Sequence, residues 1–123
     1  MNARRTALAV LVLAGPICFG TPAFAHAFLE RASPPVGSEL PVSPKAVTIT
    51  FTEGVEPDFS TIEVQNAQGA RVDRSDLHMI GDEGRQLSVS LPSLPPGSYT
   101  VIWHATSVDT HKTEGRFNFT VTP

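Results

Sequence analysis

His26 and the tripeptide Asp109-Thr110-His111 carry the donor atoms with the clearest chemistry in this chain. An Asp and a His two positions apart on extended backbone face the same side, so a carboxylate oxygen and an imidazole nitrogen can meet at one point. Alone, such a pair is also what two solvated loop side chains look like. His26 adds a different kind of donor. It follows Ala23-Phe24-Ala25, a small-x-small pattern of the type cut by signal peptidase. If the cut falls after Ala25, the imidazole Nδ1 and the new α-amine of His26 close a six-membered chelate ring around one metal ion. No internal residue can do this; the bland alternative is a histidine tolerated at a frayed terminus. Three nitrogens and one oxygen in a tetragonal arrangement suit Cu(II), and Zn(II) takes the same donors tetrahedrally. The α-amine, with a reference pKa of about 7.7–8.0, must lose its proton to bind. Affinity is therefore expected to fall as pH drops.

The stretch before His26 has the organisation of an export signal. Arg4 and Arg5 make a basic start, and residues 7–19 are apolar. That run is short of the roughly 20 residues a membrane-spanning helix needs. Gly15, Pro16, Gly20 and Pro22 punctuate it, which argues against an uncleaved anchor. Residues 1–25 are thus expected to be a signal peptide and residues 26–123 the exported, mature domain. The single cysteine, Cys18, lies inside the leader behind Ile17, a residue too bulky for a typical lipoprotein site. The mature chain is then left without a disulfide, a thiolate metal site or a thiol nucleophile. Loss of Arg4 and Arg5 moves the formal net charge from −3 to −5 and leaves 98 of the 123 residues. That excludes a basic nucleic-acid surface, and about a hundred residues suffice for one core.

The elements that must position these donors read as strands. Residues 26–42, with Pro34, Pro35, Gly37 and Pro41, are expected to be extended and irregular, Phe28 and Leu29 tucking them onto the core. In residues 46–52, Val47, Ile49 and Phe51 alternate with threonines, the pattern of a half-buried strand. Residues 60–65 form a second, and a short return is expected near Arg71 and Val72 after the turn at residues 66–69. Residues 73–84 read as a polar loop holding His78 and Met79. Residues 86–91, 98–106 and 116–122 alternate again, the last two burying Tyr99, Val101, Trp103, Ala105, Phe117, Phe119 and Val121. Strands, turn signals and no helical period point to an all-β, two-sheet antiparallel sandwich or barrel. No nucleophile elbow or phosphate loop is present in the sequence.

In this order the motifs resemble the CopC family of periplasmic copper-binding, copper-resistance proteins. The resemblance spans essentially the whole mature chain. It rests on A-H-A-x-L at residues 25–29, S-P-P-x-G-S at 33–38 and V-T-I-T-F-T-E at 47–53. The longest stretch is Y-T-V-x-W-x-x-x-S-x-D-x-H-x-x-x-G-x-F-x-F at 99–119. It implies a small Greek-key β-sandwich or barrel, Ig-like or cupredoxin-like, with His26, Asp109 and His111 as Cu(II) ligands. Glu53 matches a position at or near that site, as a weak axial ligand or a supporting group; an exposed strand-end glutamate is the alternative.

The resemblance also implies a non-catalytic role in copper sequestration, trafficking and tolerance, as a monomer beside a CopD-type inner-membrane copper transporter. The chain stops at Pro123, so that partner is expected to be separate. Some relatives carry a methionine-rich Cu(I) loop, whereas Met79 is the one methionine after residue 25. His78 and Met79 are therefore expected to be loop residues, and the chain to be of a Cu(II)-only type. His104 stands where relatives more often have a basic residue; by alternation it faces solvent away from Trp103. Terminal-histidine copper sites also occur in polysaccharide monooxygenases, which gives an enzymatic alternative, but these need an open coordination position and a broad substrate surface. A purely structural sandwich module is a third reading, and it leaves His26 and the D-x-H pair as coincidence.

Overall fold

Val47, Ile49 and Phe51 are wholly buried, while the threonines between them are at most partly so until Thr50 near the strand's end. The strand they define, β3 (Ala46–Phe51), is flanked on both edges. The computed structural model describes residues 27–123, so the expected signal peptide and His26 lie outside the described residues. One sheet joins β1 (Leu29–Ser33), β3, β5 (His78–Ile80) and β6 (Gln86–Ser90) in the order β1-β3-β6-β5, all antiparallel. The register sets Val47 opposite Val89 and Ile49 opposite Leu87, aligning their apolar faces.

The second sheet is built on a long hairpin, β7 (Gly97–Thr106) with β8 (Lys112–Val121). β4 (Thr61–Gln65) and the two-residue β2 (Glu39–Leu40) complete the order β2-β8-β7-β4, with β2 parallel to β8. Only β5–β6 and β7–β8 are sequential neighbours within a sheet. The other connections cross between sheets, as a Greek-key sandwich requires.

The inner faces meet in one core. Phe51 from the first sheet and Trp103 from the second pack edge to face, 5.4 Å between ring centroids. Tyr99 stacks on Phe119 at the same separation, and its hydroxyl donates to the Pro95 carbonyl at 2.5 Å, so the polar tip is satisfied. Burial of each such large side chain contributes about 1.5–3 kcal/mol. Gly115 lies directly opposite Trp103. A Cβ there would come within 2.8 Å of the indole, so the ring occupies space only glycine leaves open.

The crossover after β4 ties the sheets together along one side. Val72 N–H donates to the Val64 carbonyl and Arg74 N–H to the Ser90 carbonyl. The Asp73 carboxylate, with no exposed side-chain surface, accepts from Val64 N–H at 2.8 Å, Ser75 N–H at 3.0 Å and Arg71 at 2.9 and 3.0 Å. Edge strand β4 is thereby covered instead of left as an open template.

The alternating segments appear as strands with ends displaced by a few residues at most. Four expectations need correction. Residues 29–33 and 39–40 form strands, where only irregular extended chain was foreseen. The polar stretch 73–84 contains β5, so His78 and Met79 sit on an edge strand. The expected return strand near Arg71 is a single bridge to Gln65. The core contact at the start of the domain also shifts: Ala27 is fully buried and Leu29 packs beside the core, but Phe28 is 48% exposed.

Candidate metal centre

Asp109 and His111 occupy the connection between β7 and β8. It is not extended. Ser107 N–H donates to the His111 carbonyl at 2.8 Å and Thr110 N–H to the Ser107 carbonyl at 2.8 Å, closing a tight turn. Thr110 has φ = 73°, a left-handed conformation that is a real outlier for a β-branched residue. Such strain persists only where surrounding contacts hold it. The turn, not a strand's two-residue repeat, brings the Asp109 carboxylate oxygen Oδ1 to 3.2 Å from His111 Nδ1. The pairing foreseen from spacing is present, and its cause is different.

Ser107 organises this turn. Its side chain is almost entirely buried at 1% exposure. Its hydroxyl donates a close hydrogen bond to Asp109 Oδ1 and accepts from His111 N–H at 3.2 Å. The Ser107 hydroxyl first, and His111 second, hold the Asp109 carboxyl below its ordinary value, although partial desolvation pushes the other way. The turn thus favours the ionised form of Asp109, the form that can bind a metal. A His111 ring that donates from Nδ1 to this carboxylate carries its lone pair on Nε2, the tautomer a carboxylate neighbour imposes on a metal-binding imidazole. Ser107 belongs to the S-x-D-x-H pattern, but its supporting role was not read from it.

Two other segments converge on the turn. Val108 N–H donates to the Gly54 carbonyl at 3.0 Å, and Val55 bridges to Ser107. Glu53 is therefore adjacent in sequence to a residue touching the turn. Its side chain is exposed, and among the described residues no group of three or more His, Cys, Asp or Glu converges on one point. The structure thus brings together Asp109 and His111, and does not join Glu53 to them. The second segment is the start of the domain. Thr113 Oγ1 donates to the Ala27 carbonyl at 2.5 Å. Phe28 and Thr52 exchange bonds, Phe28 N–H to Thr52 Oγ1 at 3.0 Å and Thr52 N–H to the Phe28 carbonyl at 2.8 Å. Neither threonine stood out in the sequence.

The remaining histidines are elsewhere. His78 is exposed on β5, its Nδ1 2.8 Å from the Asp76 carbonyl, and Met79 packs beside the core. His104 faces solvent on β7, as alternation requires, 3.2 Å from Glu114.

A Greek-key β-sandwich with an Asp–His pair on the turn of its longest hairpin defines a small β domain with a potential ligand site at one end. The CopC domain model matches residues 29–122. The solved structure of CopC from Methylosinus trichosporium OB3b superimposes with a TM-score of 0.75 at 38% identity, covering 80% of this chain and 95% of that one. PcoC, a methionine-rich copper resistance protein from Escherichia coli, gives 0.71 at 26% identity over 80% of this chain and 100% of that one. The copper transport protein CutJ of Bacillus subtilis (strain 168) is 37% identical over 99 residues, 80% of this chain but 18% of that protein. The chain belongs to the CopC family.

Proposed function

We propose that this chain is a periplasmic, non-catalytic Cu(II)-binding protein whose site is completed when a leader is removed after Ala25. The donors are the α-amine and Nδ1 of His26, an imidazole nitrogen of His111 and a carboxylate oxygen of Asp109. One observation carries the reading: the Ala27 carbonyl is bonded to Thr113, two residues beyond His111. Consecutive Cα atoms are about 3.8 Å apart, so this anchor supports a terminus, one residue before Ala27, that can reach the turn. The donor set of three nitrogens and an ionised carboxylate supports Cu(II) in tetragonal geometry. Glu53, exposed on the neighbouring loop, is proposed as a weak axial ligand at most. The CutJ and PcoC names, copper transport and copper resistance, support a role in copper sequestration or delivery. Work as a monomer beside a separate membrane copper transporter of the CopD type is part of the proposal, on the strength of the family resemblance alone.

The test is a Cu(II) titration of protein beginning at His26 against protein carrying one extra N-terminal residue. Extension turns the amine into an amide and is expected to weaken binding at least a hundredfold. Equal affinity in both forms overturns the terminal chelate.

A further inference from the structure

We propose a second, weaker divalent-metal site on the outer face of the β4–β7–β8 sheet, formed by His104 and Glu114 and taking Cu(II) or Zn(II). The two residues are directly opposite in the β7–β8 register, and His104 Nε2 lies 3.2 Å from Glu114 Oε1. That spacing is the long limit for a hydrogen bond. It is also the bite of two ligands held about 2.0–2.1 Å from one ion, roughly 3.0 Å at right angles and 3.4 Å tetrahedrally. A metal can therefore replace the shared proton with little movement of either side chain.

The neighbouring strand leaves a place for the proton that a metal displaces from Nε2. Thr61 is opposite His104 on β4, its Oγ1 3.5 Å from His104 Nδ1. When a metal takes Nε2, the ring proton moves to Nδ1, on the side of the Thr61 hydroxyl. Both ligands stand on ten-residue strands, so the ladder sets their separation in advance. They are open to solvent, 56% and 75% exposed, and line a depression of about 390 Å³ beside Phe59. At about 30 Å³ per water, it has room for an ion that keeps several waters. Lys112 and Arg116 share the β8 face two residues on either side of Glu114, and their charge holds the affinity down. The expected dissociation constant is accordingly micromolar or weaker. The register puts this pair on the order of 10–15 Å from His111, near enough for an ion held here to be a reservoir for the turn.

Cu(II) and Zn(II) titrations of five proteins decide the matter: protein starting at His26, the N-terminally extended form, His104→Ala, Glu114→Gln and His78→Ala. The first is expected to take two Cu(II) ions, one tight and one weak. Extension removes the tight ion and keeps the weak one, which separates failure of the terminal chelate from failure of this site. His104→Ala and Glu114→Gln keep the tight ion and lower affinity for the weak one at least tenfold. Doubly loaded protein is expected to show dipolar broadening of the copper resonance that both variants lose. A single equivalent in the first protein, or a weak ion unchanged by His104→Ala but lost in His78→Ala, overturns the proposal.

Discussion

The Thr113 hydroxyl and the Ala27 carbonyl are bonded at 2.5 Å although 86 positions separate them. This bond, with the Phe28–Thr52 pair, fastens the first described residues between β3 and β8. Ala27 is fully buried, so its carbonyl has no water to fall back on if the donor is lost. Thr113→Val keeps shape and removes the donor. An unsatisfied buried carbonyl costs about 1–3 kcal/mol. The terminus should escape it by fraying, and Cu(II) affinity is expected to fall about tenfold while the β-sheet circular dichroism is unchanged. Isothermal titration checks this; unaltered affinity would show that the anchor does not present His26.

Ser107→Ala tests the support of the turn from within. It removes the group that chiefly holds the Asp109 carboxyl below its ordinary value. The sign is fixed: a carboxyl freed of a hydrogen bond to its ionised form titrates at higher pH. In apo protein the Asp109 carboxyl resonance is expected to titrate higher than in the parent. Because protons compete with metal for the carboxylate, copper release on acidification should begin at higher pH. An unmoved Asp109 titration would mean that Ser107 only fills space.

Fold and site were legible to different degrees, for physical reasons. Val47, Ile49 and Phe51 announce their strand because one face is buried along its length and period two is then enforced. The same argument correctly turned His104 outward. β2 and β5 have two and three residues, too few for a period, and each exists because a longer strand, β8 or β6, offers it an edge. At the site, residue type and spacing identified Asp109 and His111 as a pair. They could not reveal that Thr110 adopts a left-handed backbone or that Ser107 lies beneath, because both follow from closing the β7–β8 hairpin. Likewise the Thr113–Ala27 bond joins opposite ends of the domain and leaves no local trace.

Asp73 should make stability acid-sensitive. Burial pushes its carboxyl up, but the bonds from Arg71, Val64 N–H and Ser75 N–H outweigh this, and the net shift is down. A depressed folded value gives stability that is fully present above the unfolded value of about 3.9. That stability is lost as pH falls through the folded value beneath it. Asp73→Asn keeps an acceptor and loses the charge. It is expected to cost about 1.5–3 kcal/mol at neutral pH, the range for hydrogen bonds to a charged group. Urea unfolding from neutral to strongly acidic pH should show the parent and variant curves converging as Asp73 protonates. A constant gap would assign the loss to packing.

Gly115→Ala addresses the contact under the only tryptophan. The added Cβ would lie 2.8 and 2.9 Å from two indole carbons, closer than any real contact, and the obstructing atoms belong to a ring clamped by Phe51. The ring cannot rotate away as the end of a flexible chain would, so either the indole leaves its rotamer or the β7–β8 ladder opens locally. Overpacking of this kind costs about 1–3 kcal/mol, and a displaced indole should report it through a red-shifted emission. Trp103→Phe removes the atoms in the way at the expense of a cavity. If the clash is the cause, the double variant is expected to be more stable than the sum of the two single losses predicts, with a coupling of about 1 kcal/mol or more between these neighbours. Strict additivity in denaturant melts would place the effect of Gly115→Ala in the backbone instead.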